Sequence, residues 1–512
     1  MTHGICYLVG AGPGDPMLLT LKGRECLGMA DVVVYDYLSN PVFLGYAKGG
    51  AEIFCAGKKA GRHTLSQPEI NALLVERTKQ GKTVVRLKGG DPFLFGRGGE
   101  EAIALAEAGC AFEVVPGVTS AIAGPAYAGI PVTHRDHNTV LTIFTGHEDP
   151  SKPETSVDYA AIARAPGTKV MLMGIKRLEA IAGGLMAAGM GKDVPVALIR
   201  WATTGHQETL AGKLGNIAAK AVAASFQPPA VAVFGEVVDL RAKLNWFEAL
   251  PLFGKRIAVT RTRQQAGDLV SRLRALGAEA FEMPTIRLEP APDKRVFYET
   301  VAYSHAYDWI VFTSANGADA FFKAFFEIYH DARDLGAARI AAVGPETAAR
   351  VRAFHLQVDV CAEKFVAEDL IKALQKETSV ENLKILLARA EGARDVLATE
   401  LARLGAIVDD VPAYRTVPET EDVCGGIRRF REEGADLVTF TSSSTAENFR
   451  ALNLPVPPGL RHASIGPVTS RTMKKLGMPV DVEAAVHDIP GLVSAIVKFY
   501  KWRDKKMAAP EA

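Results

Sequence analysis

The residues of this chain that could do chemistry gather in glycine-rich loops of its first half. "VVVYD" ends an apolar run on Asp36, and "FCAGKKAGRH" soon adds Lys58, Lys59, Arg62 and His63. "RLKGGDPFLFGRGGEE" is dense in glycine from Lys88 to Gly99 and closes on acids that suit a helix N-terminus. "VVPGVTSAIAGPAYAGIPVTHRDH" puts Gly117, Thr119 and Ser120 at a strand-to-helix turn, then Thr133, His134, Arg135 and His137 in a polar turn. Each has a structural alternative: Asp36 closing a turn, Lys58 a solvated charge, Thr119 a helix cap. Several such loops at strand ends point to a shared cleft.

A further loop, "LVGAGPGDPMLLTLKG" (Leu8 to Gly23), has the look of a phosphate cradle. The dinucleotide pattern GxGxxG needs a third glycine and free backbone N–H groups facing the pyrophosphate. Gly10 and Gly12 fit, but Asp15 takes the third place and Pro13 removes a donor. A carboxylate where phosphates should lie argues against that ligand. There is no Walker-A GxxxxGK[ST] in the segment either. A stiff loop beside a neutral or cationic ligand is the better reading.

The elements that must position these loops follow from the pattern. "ICYLVG", "DVVVYD", "KTVVRLKGG", "FEVVPG", "VLTIFTG", "TKVMLMG" and "PAVAVFG" read as buried strands, most of them leading toward helical stretches. This is an α/β arrangement with at least partly parallel sheets. The alternation lapses at "LRAKLNWFEALPLFGKR", Leu240 to Arg256, the expected connection to a second unit. That unit repeats itself. Leu273/Leu401, Gly277/Gly405, Pro284/Pro412 and Phe312/Phe440 keep one offset, and three segments recur in the same order. Two similar α/β lobes are implied, with a cleft between them.

With 512 residues, about two to four domains are expected. A net charge of +1 gives no reason to expect nucleic acid or an acidic membrane as partner. Six scattered cysteines (Cys6, Cys26, Cys55, Cys110, Cys361, Cys424), with no CxxC pair, argue against zinc and disulfides. Neither a signal peptide nor an apolar run of about 18 residues is evident, so a cytoplasmic protein is expected.

"VGAGPGDPMLLTLKG", "ADVVVYD", "GGDPFLFGRGGEE", "VPGVTSAIAGPAYAGIPVTHR" and "RAKLNWF" resemble uroporphyrinogen-III C-methyltransferases across nearly all of residues 1–247. The resemblance implies a class III methyltransferase of two α/β domains, about 1–115 and 116–243, acting as a homodimer. It implies S-adenosylmethionine as cofactor, with no metal and no NAD, and two C-methylations that turn uroporphyrinogen III into precorrin-2. Carried over by motif, the cofactor contacts are Pro13, Gly89, Gly90, Asp91, Leu94, Thr119, Ser120, Met173 and Ala202. Asp36 becomes the proton acceptor and Lys58 the proton donor. A carboxylate near the cleft is chemically apt, because C-methylation must be balanced by loss of a ring proton. For the eight substrate carboxylates, Arg62, Arg86, Lys88, Arg97, Arg135 and the nearby histidines are candidate partners.

After a linker at 244–254, residues 255–502 resemble uroporphyrinogen-III synthases. The carriers are "VTRTRQQAGDLVSRLRALGAEAFEMPTI", "DWIVFTSANGADAFF", "VGPETAARV", "VPAYRT", "LVTFTSSSTAENF" and "SIGPVTSRTMKKLG". The resemblance implies one lobe from 255–287 with 418–502 and another from 289–416, joined by "MPTIRLEP" and "VPAYRTVP". It implies cyclisation of hydroxymethylbilane with inversion of ring D. Tyr414 matches the family's tyrosine proposed to help hydroxide leave, and a packing role at a hinge is the alternative. Arg261, Thr313, Ser314, Ser442, Ser443, Gly466 and Thr469 are candidates for binding acetate and propionate groups. Gly466 is preferred to its duplicate Gly344. The tail 503–512 reads as frayed. Two rivals stand beside the bifunctional reading: a methyltransferase for another precorrin or for RNA or protein, and a C-terminal half that only senses tetrapyrrole.

Overall fold

The computed structural model describes residues 4–57, 65–146, 157–362, 367–393, 395–419, 422 and 425–508. They form two compact units, Met1–Met283 with Glu421–Ala512, and Pro284–Thr420. None of the described helices is long and apolar enough to cross a membrane.

The first sheet holds β1 (Ile5–Gly10), β2 (Val32–Tyr35), β3 (Glu52–Cys55), β4 (Thr83–Lys88) and β5 (Ala111–Val115), in the order β3-β2-β4-β1-β5. Every neighbouring pair is parallel. Its apolar runs are continuous because both faces are covered. Leu8, Val32 and Val84 enter one core, and Val9, Val33 and Val85 enter the other. The loops after β1, β2, β4 and β5 therefore emerge along one edge, where Asp36 and the glycine-rich segments lie.

The second sheet contains β6 (Leu141–Thr145), β7 (Thr168–Leu172), β8 (Pro195–Arg200), β9 (Glu208–Lys213) and β10 (Ala230–Phe234), ordered β6-β7-β10-β8-β9. Only β6 and β7 are parallel; the other pairs run antiparallel.

The third sheet completes this unit. It begins with β11 (Arg256–Val259) and β12 (Glu279–Glu282) and is finished by strands from the chain's end. Between them comes the second unit: β13 (Ile286–Pro290), β14 (Trp309–Phe312), β15 (Arg339–Val343), β16 (Val360–Ala362), β17 (Lys384–Ala390) and β18 (Ile407–Pro418). Then β19 (Leu437–Phe440), β20 (Arg461–Ser464) and β21 (Val482–Glu483) return to the third sheet. The orders β12-β11-β19-β20-β21 and β18-β17-β14-β15-β16 are the same five-strand design made twice, all parallel. The second adds β13 antiparallel to β18. The duplication read from the sequence is thus a duplication of topology.

The connection between halves is packed rather than loose. Trp246 donates its indole N–H to the Ala126 carbonyl at 3.0 Å. Tyr127 meets Trp246 and Phe247 edge-on at 5.1 and 4.8 Å between ring centres. Further along, Leu252 is fully buried in the core of the third sheet.

Candidate active sites

Asp36 follows β2 directly, its N–H bonded to the Leu87 carbonyl at 3.1 Å. Arg86 and Lys88, two apart on β4, turn to one face. Both reach Oε1 of Glu101 on the helix Gly98–Glu107, at 2.9 and 3.0 Å. The far end of Arg86 donates from Nη2 to Asp36 Oδ1 at 2.6 Å. Glu101 is fully buried, Arg86 is 2% exposed, and the Asp36 side chain is 31% exposed. Burial works against the Arg86 charge, but Asp36 and Glu101 outweigh it and raise its pKa. Burial and the Arg86 charge together hold Lys88 below the usual lysine range.

This corrects one expectation. Arg86 and Lys88 do not wait for substrate carboxylates. Charges this deep must be paired internally, and Glu101 pairs both. Sequence reasoning took Glu101 for a helix-terminus acid. The signal available was two basic residues alternating within an apolar strand, which require an acid nearby.

The glycine segments converge beside Asp36. Gly12 and Gly90 exchange backbone hydrogen bonds at 3.2 and 2.8 Å. Asp91 Oδ2 accepts from the Gly117 N–H at 3.0 Å. A Cβ on Gly10 would lie 2.5 Å from Gly117, so only bare backbone permits this approach. Gly90, at φ +69°, has instead nothing nearer than 3.9 Å to a built Cβ, and that space faces the Thr119–Ser120 helix start. Thr119 caps that helix by accepting from the Ala121 N–H. Leu94 packs on the second sheet's core, which includes Ala202. Met173, at φ +58° just after β7, is half exposed. Pro13, Gly89, Gly90, Asp91, Leu94, Thr119, Ser120 and Ala202 thus lie on segments that touch one another. Bare glycine backbone, hydroxyls and small apolar groups therefore meet at this edge of the first sheet.

Asp15, in the third glycine's place, is tied down. Its carboxylate accepts from the Met17 N–H at 2.9 Å and from the Tyr127 hydroxyl at 2.7 Å. It staples the first loop to the helix Ser120–Tyr127. Arg135 occupies the exposed tip of a turn that Asn138 holds through its side chain to the Val132 and Val140 carbonyls. Arg97 pairs with Glu100 at 2.7 Å on the surface. Lys58, with Lys59, Arg62 and His63, lies outside the described residues.

In the Pro284–Thr420 unit, Tyr414 on β18 is 8% exposed, and its hydroxyl is 3.0 Å from Ser314 Oγ. Ser314 follows Thr313 at the end of β14 and caps the next helix through the Gly317 N–H at 3.1 Å. In the third sheet, Ser442 occupies the equivalent place after β19 and caps through the Thr445 N–H at 3.2 Å. Ser443 Oγ lies 2.8 Å from Thr472 Oγ1. Arg261 follows β11, and Gly466 follows β20 by two residues, so these groups share the carboxyl edge of one sheet. Thr469 is buried on the helix Pro467–Lys475. The caps were legible as hydroxyls after strands; the pairing of Ser314 with Tyr414, across 100 positions, was not.

The chain has relatives across its length. The model of the tetrapyrrole (corrin/porphyrin) methylases matches residues 6–218. That of uroporphyrinogen-III synthase HemD matches residues 267–494. The porphyrin biosynthesis protein HemD of Ruminiclostridium josui is 39% identical over 479 residues, 93% of this chain and 95% of its own. The uroporphyrinogen-III C-methyltransferase of Bacillus subtilis is 43% identical over 67% of this chain and 70% of its own. The S-adenosyl-L-methionine-dependent uroporphyrinogen III methyltransferase of Methanosarcina barkeri is 52% identical over 46% of this chain and 93% of its own. The chain therefore belongs to the porphyrin-biosynthesis family in which a tetrapyrrole methylase is fused to a uroporphyrinogen-III synthase.

Proposed function

We propose that this is a bifunctional enzyme of tetrapyrrole biosynthesis. Residues 255–502 cyclise hydroxymethylbilane to uroporphyrinogen III, and residues 1–243 methylate that product twice to precorrin-2. One fact carries the reading above others: relatives match both halves, in the same order, on a single chain. A change of acceptor or a purely sensory C-terminal half gains no support from the site.

When bound, S-adenosylmethionine supplies an electrophilic methyl group. Pro13, the 89–91 loop, Leu94, the 119–120 turn, Met173 and Ala202 hold it. These residues fix the orientation of the methyl donor, so that the attack starts from a near-attack geometry. Asp36 takes the proton lost from the ring system. With Oδ1 held by Arg86, its second oxygen is left to accept. Lys58 donates. In the synthase half, the Tyr414 hydroxyl, oriented by Ser314, gives a proton to the departing hydroxide. Arg261, Thr313, Ser442, Ser443, Gly466 and Thr469, on strand-end loops and the helix starts that follow them, bind the acidic side chains, and Arg135 serves the methyltransferase's substrate. The protein works in the cytoplasm as a homodimer, without metal, NAD, nucleic acid or membrane, and its product leads toward sirohaem and cobalamin.

The whole protein, given hydroxymethylbilane and S-adenosylmethionine alone, should yield precorrin-2. Uroporphyrinogen I as the sole ring product would sink the synthase assignment, and unmethylated type III isomer the methyltransferase one. Tyr414→Phe should slow cyclisation about 10²-fold while methylation of supplied uroporphyrinogen III persists.

A further inference from the structure

The turn Trp201–Gln207, which carries Ala202, is conformationally expensive. Trp201 and Thr203 sit at φ +46° and +68°. Left-handed residues other than glycine are strained and persist only where their surroundings fix them. Some of that fixing is local. The Asp15 N–H donates to Thr203 Oγ1 at 3.0 Å, and the Thr203 N–H to Gln207 Oε1 at 2.9 Å. Thr204 Oγ1 closes the turn on the Trp201 carbonyl at 2.6 Å. The turn therefore moves as one piece.

The rest of the fixing comes from the end of the linker and from the synthase half. The Gly254 N–H donates to the Gly205 carbonyl at 2.9 Å. Gly205 lies so close to β12 that a Cβ there would stand 2.2 Å from the Glu279 nitrogen. His206 Nδ1 is 2.9 Å from Glu279 Oε1, and its ring is 5.4 Å from that of Trp201. Glu279 is 8% exposed and is itself anchored by Arg256 at 3.0 Å and by Arg429. A residue in the synthase core thus grips the back of the methyltransferase's turn.

We propose that the synthase lobe positions the cofactor-binding turn of the methyltransferase, with Gly205, His206 and Glu279 as positioning residues that set affinity for S-adenosylmethionine. The inference rests on the assignment of Ala202 as a cofactor contact. A displacement at 205 or 206 is carried to 202 through the closed turn. Turnover with the cofactor saturating, and cyclisation in the other half, do not depend on it.

The test uses full-length protein and S-adenosylmethionine, reading Kd by calorimetry and KM and kcat for methylation. Gly205→Ala wedges a methyl group between turn and strand; His206→Leu removes the donor to Glu279; His206→Asn keeps a donor near the Nδ1 position. Gly205→Ala and His206→Leu should raise Kd and KM about tenfold, with kcat and cyclisation within about twofold of the parent. His206→Asn should restore affinity. An unchanged Kd in both first variants overturns the proposal, and so does a parallel loss of cyclisation, which would mark the contacts as general folding contacts. Ala202→Leu checks the underlying assignment. If it leaves Kd unchanged, that assignment falls; if it weakens binding while the other variants do not, the positioning role alone falls.

Discussion

Two buried carboxylates organise two regions of the first unit in contrasting ways. Glu101 gathers Arg86 and Lys88 beneath the first sheet's edge, and the chain of contacts ends on an acid, Asp36, that is partly open to solvent. Glu279 gathers Arg256 and Arg429 in the third sheet, and its chain ends on an imidazole, His206, at the back of a turn. In the first cluster the cations are almost wholly buried; in the second they are 27% and 30% exposed. The first cluster can therefore act on the charge and aim of a carboxylate that solvent reaches. The second can act only on the placement of backbone. Depth and terminus, rather than the number of ion pairs, decide what each is for.

Breaking the first chain at its end should have the largest effect. Asp36→Asn should lower methylation about 10²–10⁴-fold while hydroxymethylbilane cyclisation is unaffected, measured on the same preparation. Equal loss of both activities would assign Asp36 a folding role. Next come the two carboxylates themselves. Glu101→Leu takes the acid from buried Lys88 and leaves buried Arg86 with Asp36 alone, and should cost about 3–5 kcal/mol in denaturant unfolding. Glu279→Leu frees arginines that reach water, so its cost should be smaller, about 1–2 kcal/mol. Equal costs would erase the distinction drawn from depth.

A further effect is expected from pH. Burial, with Arg429 and Arg256 nearby, lowers the His206 pKa to about 4, against a weaker opposing pull from Glu433. With its pKa so lowered, the ring donates its Nδ1–H to Glu279 as a neutral hydrogen-bond donor. Its ordinary value is near 6.5. The stability tied to that neutrality is complete above pH 6.5 and is lost as pH falls toward 4. Between those limits wild type should lose more stability than His206→Asn, followed by thermal melting at each pH. A matching loss in the variant would remove His206 from the account.

Much of this architecture was legible because it is written in local pattern. All seven quoted apolar runs of the first half contain strands, since both faces of their sheets are covered. The strands that escaped, β3 and β9, are edge strands whose residues are mostly half-exposed or exposed, so neither alternation nor a continuous apolar run marks them. β8, "PVALIR", is a buried run that was simply not singled out. At the site, glycine loops and strand-end hydroxyls could be named from sequence because a turn or cap demands those residue types. Which charge pairs with which could not. Arg86 finds Glu101 through a helix crossing its strand, and His206 finds Glu279 through the docking of two domains. Such partnerships belong to the tertiary structure and leave no spacing rule behind.

The interrupted third sheet has a consequence for the order in which the chain can be built. β11 and β12 leave the ribosome early, but the strand that flanks β11 on its other side, β19, lies about 180 residues downstream. The whole Pro284–Thr420 unit is made in the interval and carries within itself every strand of its own sheet. The nascent protein must therefore keep an unfinished sheet edge from pairing wrongly while a complete unit folds ahead of it. Besides β11, the methyltransferase half is already made when β12 emerges, and Gly205 is where it meets that strand.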